Sequence, residues 1–140
     1  MNVQIRYGTE HVDWNRVSGL LKSAGMAYYE PDLHKQAFEA SFCRVFLYDE
    51  DVLIGFGRAL SDGAYQAALY DCVVSEDYRG RGFGKRIVGE ILSKLSHCNV
   101  ILYASPGKEG FYAKLGFRKM STGMAYFVDR EAMAKRGFTT

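Results

Sequence analysis

The sequence predicts a mixed α/β fold, one domain over residues 1–140 with a central sheet of about six to seven strands and four helices. Two observations carry this. The apolar period switches repeatedly between two residues, as in a strand, and 3.6, as in a helix. A strand, a long amphipathic helix and a second apolar run also follow one another between Ala67 and Ala104, which makes a βαβ unit with parallel strands. A third observation bounds the answer: 140 residues, 48% of them apolar, suffice for one core but hardly for two.

The elements follow in order. Val3, Ile5 and Tyr7 alternate with polar residues and predict a first strand. Trp14, Val17, Leu20, Leu21 and Ala24 lie at helical spacing, with Asp13 or Thr9 as N-cap and Gly25 as stop, so a helix runs from about Asp13 to Ala24. Pro31-Asp32 starts a shorter helix with Leu33, Ala37 and Phe38 facing inward. Val45 to Tyr48 and Val52 to Leu60, joined by Asp49-Glu50-Asp51, form a hairpin, and Ala67 to Val74 is a further strand. Gly84, Ile87, Val88, Ile91, Leu92 and Leu95 define the best helix. Val100 to Ala104 is continuously apolar, the pattern of a strand covered on both faces. Lys108 to Leu115 is a short helix ended by Gly116, and Met120 to Val128 a final strand pair turned at Thr122-Gly123.

Composition excludes several functions. Eighteen Lys plus Arg against 16 Asp plus Glu leave a net charge of +2, too balanced for a domain whose main partner is a nucleic-acid backbone. Cys43, Cys72 and Cys98 are widely spaced and form no C-x-x-C, so neither a disulfide framework nor a zinc site is indicated. With no signal-like N-terminal run and no long apolar stretch, the expectation is a soluble, cytoplasmic protein that engages no membrane. The anomaly is 15 glycines against 2 prolines.

Three of those glycines, at alternate positions, stand where a strand hands over to the best helix: Arg79-Gly80-Arg81-Gly82-Phe83-Gly84, followed by Lys85-Arg86. A helix N-terminus offers unpaired N–H groups and the positive end of the helix dipole. Glycines let those groups approach a phosphate, and Arg79, Arg81, Lys85 and Arg86 add positive charge, so the stretch reads as a pyrophosphate cradle. The dinucleotide fingerprint fails because its third glycine falls on Lys85, and the P-loop fails because Arg86 stands where Ser or Thr is needed. A glycine-rich turn beside a solvated basic surface is the bland alternative.

Val73-Val74-Ser75-Glu76-Asp77-Tyr78-Arg79-Gly80-Arg81-Gly82-Phe83-Gly84-Lys85 resembles the acetyl-CoA signature of the GNAT superfamily of N-acetyltransferases, with Arg79, Gly82 and Gly84 in its defining positions. Gly110-Phe111-Tyr112-Ala113-Lys114-Leu115-Gly116-Phe117 resembles that family's second block, one helix and one strand later. The resemblance implies the GNAT fold and acetyl-CoA as cosubstrate, with no metal. It also implies a pantetheine arm paired to Val73 and Val74, and a pyrophosphate held by the main chain of Arg79, Gly80, Arg81, Gly82, Phe83, Gly84 and Lys85. The thioester would lie in a V-shaped gap between Ala67 to Val74 and Val100 to Ala104. Ser105-Pro106-Gly107-Lys108-Glu109 departs from the family's asparagine-bearing loop, which removes one side-chain contact to the cofactor from the expectation.

Expulsion of a thiolate calls for a proton donor, and Tyr112 is the residue that the resemblance puts in that role; the alternative is a core tyrosine. The attacking ammonium must first lose a proton, and Asp71, Glu109, Asp62 and Glu30 are candidates. Asp71 leads because it interrupts an apolar strand, though a carboxylate hydrogen-bonded within the structure explains it equally well. His11, His34 and His97 lie at helix ends or starts, and Cys72 reads as inert. Ala27-Tyr28-Tyr29-Glu30 with Phe38 and Phe42 would form an aromatic wall for a cation, or part of the core. Likeness around Gly55 to Asp71 to small members acting on aryl-alkyl amines favours a small primary amine as partner. Acetylation of a protein or peptide, and an acyl-CoA-binding module without turnover, remain alternatives. Homodimers are common among similar proteins.

Overall fold

The computed structural model describes residues 2–140, which divide into two compact units, one up to Leu102 and one from Tyr103 onward. In the first, β1 (Val3–Arg6), β2 (Cys43–Asp49), β3 (Val52–Ser61), β4 (Gln66–Val74) and β5 (Asn99–Ile101) form a sheet in that spatial order. The pairings from β1 to β4 are antiparallel, and β4 with β5 is parallel, as the βαβ pattern requires.

Helix α1 (Trp14–Ser23) starts where its cap predicts: the Asp13 carboxylate accepts from the N–H groups of Asn15 and Arg16 at 3.0 and 3.2 Å. Such a cap stabilises a helix by about 1 kcal/mol. Helix α2 (Pro31–Glu39) buries His34 and Phe38, whereas Leu33, expected inward, is 48% exposed. Positions 34 and 38 lie one above the other on a helix, and Leu33 falls beside that stripe. Val17, Leu20, Leu21 and Phe38 of these helices pack with Phe46, Phe56 and Val73 on one face of the sheet. Helix α3 (Phe83–Ser93) covers the other with Ile87, Val88 and Ile91, all fully buried.

Helix α3 lies so close to β3 that side chains are excluded beneath it. A Cβ at Gly57 would stand 2.8 Å from Cys72 Sγ and 2.9 Å from Ile87 Cγ2, and one at Gly55 would stand 2.9 Å from the Val73 carbonyl oxygen. Glycines inside a strand weaken it unless a bulge, a bend or a close neighbour requires them. Here the requirement is the close approach of α3 and β4, which leaves no local trace in the chain.

Two expectations fail here. The strand over Val100 to Ala104 shrinks to Asn99–Ile101, and Ile101 is 50% exposed. As the edge of the sheet, β5 has a strand neighbour on one side only and is not the doubly covered strand its apolar run suggests. No strand forms over Met120 to Val128 either. Alternation supplies one requirement of a strand, but a partner must also take its main-chain groups, and Met124, Tyr126 and Val128 are almost fully exposed.

The second unit instead holds α4 (Glu109–Lys114) and an unanticipated α5 (Arg130–Lys135), with Tyr103, Phe127 and Phe138 in mutual edge contact at ring distances of 5.3 to 6.4 Å. The signals for α5 are present in the sequence: Asp129 accepts from the Ala132 N–H at 3.0 Å, Glu131 and Lys135 suit the dipole, and Gly137 at φ 86° ends the helix. The described residues therefore hold five strands and five α-helices rather than six to seven and four.

Candidate active site

At the C-terminal end of β4 the chain passes through a 3-10 turn, Glu76–Tyr78, and two left-handed glycines, Gly80 at φ 77° and Gly82 at φ 82°, before entering α3. Gly82 is the N-cap of α3, and the first intrahelical bond runs from the Arg86 N–H to its carbonyl at 3.1 Å. The amides of Phe83, Gly84 and Lys85 therefore precede any acceptor within the helix, and no side chain caps them. A Cβ built at Gly80 or Gly82 meets nothing within 4 Å, so the loop is uncrowded at both glycines. Consecutive amides at a helix start beside two left-handed glycines are an arrangement that can take a polyanion.

The basic residues of the loop are more occupied than their number suggests. Arg79 turns back and donates from Nε to the Val74 carbonyl at 3.1 Å, closing the loop onto its own strand. Arg81 stacks over the Tyr78 ring at 5.5 Å, and the Tyr78 hydroxyl donates to Asp49 at 2.7 Å. That bond to an anion raises the Tyr78 pKa. Lys85 and Arg86 are exposed beside the helix start.

The second feature of the site is the free edge of β4. Its parallel pairing with β5 covers only Gln66, Ala67 and Ala68, while β4 continues to Val74. Over the last residues, which include Val73 and Val74, no strand of the described chain pairs with that edge. An extended ligand arm can therefore bind there by main-chain hydrogen bonds and lead into the glycine loop.

Of the candidate bases, Asp71 sits at an irregularity of β4 with φ 54°, and its Oδ2 lies 2.7 Å from Arg58 Nε. A non-glycine residue in that backbone region costs about 1–3 kcal/mol and persists where its surroundings hold it. Asp62 accepts from the N–H groups of Ala64, Tyr65 and Gln66, which lower its pKa, and Glu109 is lowered by its own amide and by that of Gly107. These two carboxylates are thereby weakened as proton acceptors near neutrality. Glu30 stands at the start of α2 without a side-chain cap.

His34, set aside on sequence grounds as part of a polar helix start, is buried, and its Nε2 accepts the Tyr29 N–H at 2.9 Å. Burial lowers its pKa, Asp71 opposes that and Arg58 adds to it, so the imidazole is neutral. Its i, i+4 spacing from Phe38 was the signal available for its burial. Burial pushes the Cys72 thiol up to about 12, so it is unreactive. Phe38 belongs to the core, while Tyr28, Tyr29 and Phe42 are about half exposed.

Tyr112 belongs to the second unit. It lies in α4 between Phe111 and Phe117, with edge-on ring contacts at 5.0 and 5.7 Å. The short helix closes at Leu115, and Phe117 returns an N–H to the Tyr112 carbonyl at 3.1 Å, so the second sequence block folds as one local turn around its tyrosine.

Comparison with known proteins agrees with this geometry. A sequence profile of the Acetyltransferase (GNAT) family matches residues 12–117. An uncharacterized N-acetyltransferase ycf52 of Gracilaria tenuistipitata var. liui is 31% identical over 124 residues, covering 84% of this chain and 68% of that protein. Serotonin N-acetyltransferase 2, chloroplastic, of Oryza sativa subsp. japonica is 33% identical over 84 residues, or 56% of this chain and 42% of that protein. The chain thus spans less than half of the rice relative. Among solved structures, a probable acetyltransferase from meticillin-resistant Staphylococcus aureus superposes with a TM-score of 0.79 at 26% identity, over 90% of this chain and 98% of that one. A free strand edge leading into a glycine-lined helix start, and a profile match that spans both signature blocks, place the chain in the GNAT family of acetyltransferases.

Proposed function

We propose that the protein transfers the acetyl group of acetyl-CoA to a primary amine of a small molecule, by direct attack with both substrates bound. The observation that carries the reading is the junction of β4 and α3, where a free strand edge runs into the helix-start amides of Phe83 to Lys85. The pantetheine arm would lie along Val73 and Val74, with the Val74 N–H as its main-chain donor, because the Val73 carbonyl faces Gly55 and the Val74 carbonyl accepts from Arg79. Main-chain groups of the 79–85 loop would hold the pyrophosphate. The bound cosubstrate supplies an acyl group activated as a thioester.

Tyr112 takes the role of general acid, its phenol giving a proton to the sulfur that leaves. Support for a small acceptor comes from the similarity to a serotonin N-acetyltransferase and from the exposed Tyr28 and Tyr29 beside Glu30, which suit an aromatic or alkyl ammonium.

The test is an amine panel read by release of CoA thiol, run with the wild type and Tyr112→Phe. At least one small amine supports turnover. The variant binds acetyl-CoA within about twofold of wild type and turns over about a hundredfold more slowly, within the usual range for general acid catalysis. Undiminished acetylation by Tyr112→Phe removes the assigned role. Thiol release with peptides but with no small amine moves the reaction to protein substrates.

A further inference from the structure

We propose that Arg58 and Asp71 are positioning residues: their ion pair locks a bulge in β4 that turns the strand's last residues toward acetyl-CoA, so Asp71 acts as an anchor rather than as the base. The inference rests on the reading of the β4 edge and the glycine loop as the acetyl-CoA site.

The register shows the bulge. Tyr70 faces Arg58 and Val73 faces Phe56, so Gly57 on β3 stands opposite two residues, Asp71 and Cys72. Asp71 absorbs the extra residue with its φ of 54°. The side-chain alternation of β4 is thereby reversed beyond it. Tyr70 and Asp71 both face the side of α2, Cys72 turns to Gly57 beneath α3, and Val73 returns to the core with Phe56 and Phe38. A regular strand would send Val73 toward α3 and point the main-chain groups of Val74 at β3. With the bulge, the Val73 carbonyl faces Gly55 and the Ser75 N–H donates to the Ile54 carbonyl at 2.7 Å, which leaves Val74 facing the free edge.

The pair that holds this turn is itself held. Arg58 lies over the Phe38 ring at 5.5 Å and the Tyr70 ring at 5.4 Å, and donates to Ser41 Oγ at 3.4 Å. Ser41 in turn donates to the Ala37 carbonyl at 2.8 Å. The guanidinium is therefore framed by the end of α2 and by β4 before it meets Asp71 Oδ2 at 2.7 Å. The side chains of Arg58 and Asp71 are only 15% and 21% exposed, so water competes weakly for them.

Affinity for acetyl-CoA, measured by calorimetry without an acceptor, tests the assignment. Asp71→Ala, which removes the pair and keeps a residue averse to positive φ, weakens binding about tenfold, or about 1.4 kcal/mol. Asp71→Gly, which accepts the backbone angle without the pair, weakens it about threefold. Asp71→Asn, which tolerates the angle and still accepts from Arg58, binds within about twofold of wild type. Should the alanine protein fail to fold, the order of Asn and Gly decides.

A base that touches only the acceptor predicts equal affinity in all three variants, and that result overturns the proposal. So does Asp71→Asn binding as weakly as Asp71→Ala, since charge rather than backbone placement would then matter. A wild type that does not bind acetyl-CoA fails the underlying reading of the site instead, so the two failures are distinct.

Discussion

Helix α3 meets glycines at two places, beneath its middle and at its start, and the two sets serve opposite purposes. At Gly55 and Gly57 the space for a side chain is already taken, by the Val73 carbonyl, Cys72 and the methyl groups of Ile87 and Ile91. At Gly80 and Gly82 the space is empty and the backbone angle, not crowding, demands glycine. One set lets the helix approach the sheet, and the other keeps its first amides uncovered. The same residue type therefore marks close packing in one region and a left-handed turn in the other. Only what surrounds the missing Cβ tells them apart.

Substitutions sharpen this contrast. Gly57→Val drives a branched side chain into Cys72 and Ile87 and is expected to destabilise the fold by about 3 kcal/mol, the upper part of the overpacking range. Thermal unfolding should fall by roughly 10 °C. A melting temperature unchanged within about 2 °C means that α3 does not press on this strand. Gly82→Val has open space but the wrong backbone, so its stability cost is smaller, about 1–2 kcal/mol. Its stronger signature is acetyl-CoA affinity reduced about tenfold in calorimetry; unchanged affinity would remove the loop from the binding site.

The smallest effect belongs to Gly89, which lies within α3, is exposed, and has nothing within 4 Å of its Cβ position. Gly89→Ala should raise stability by about 0.5–1 kcal/mol in urea unfolding, because here glycine only weakens the helix. A loss of stability would show that neither crowding nor backbone angle explains that position.

Legibility followed the range of the interaction involved. The N-cap of α1, the apolar stripes of α1 and α3, the β2–β3 hairpin and the parallel partnership of β4 and β5 depend on neighbours within a turn or on a fixed crossover rule. Each could be read directly. The Met120 to Val128 pair could not be trusted on alternation alone, because its partner strand is a tertiary matter. Helix α5 carries local signals of its own in Asp129 and Gly137, although the expected elements end at Val128. In the site, the loop glycines and their place before α3 were visible in the chain, since a helix start is local. The partner of Asp71 was not, since Arg58 lies on a different strand and meets it only through the bulge.

By itself, then, the sequence determined the mixed α/β class, the glycine-rich junction between strand and helix, and the tyrosine block at 110–117, because these rest on local periodicity, caps and backbone freedom. Tertiary structure alone decided that two strand glycines exist to admit α3, that β4 reverses its faces at Asp71, and that the leading candidate base is bound to an arginine. Those facts depend on which side chains meet across strands and layers, and no spacing along the chain records that.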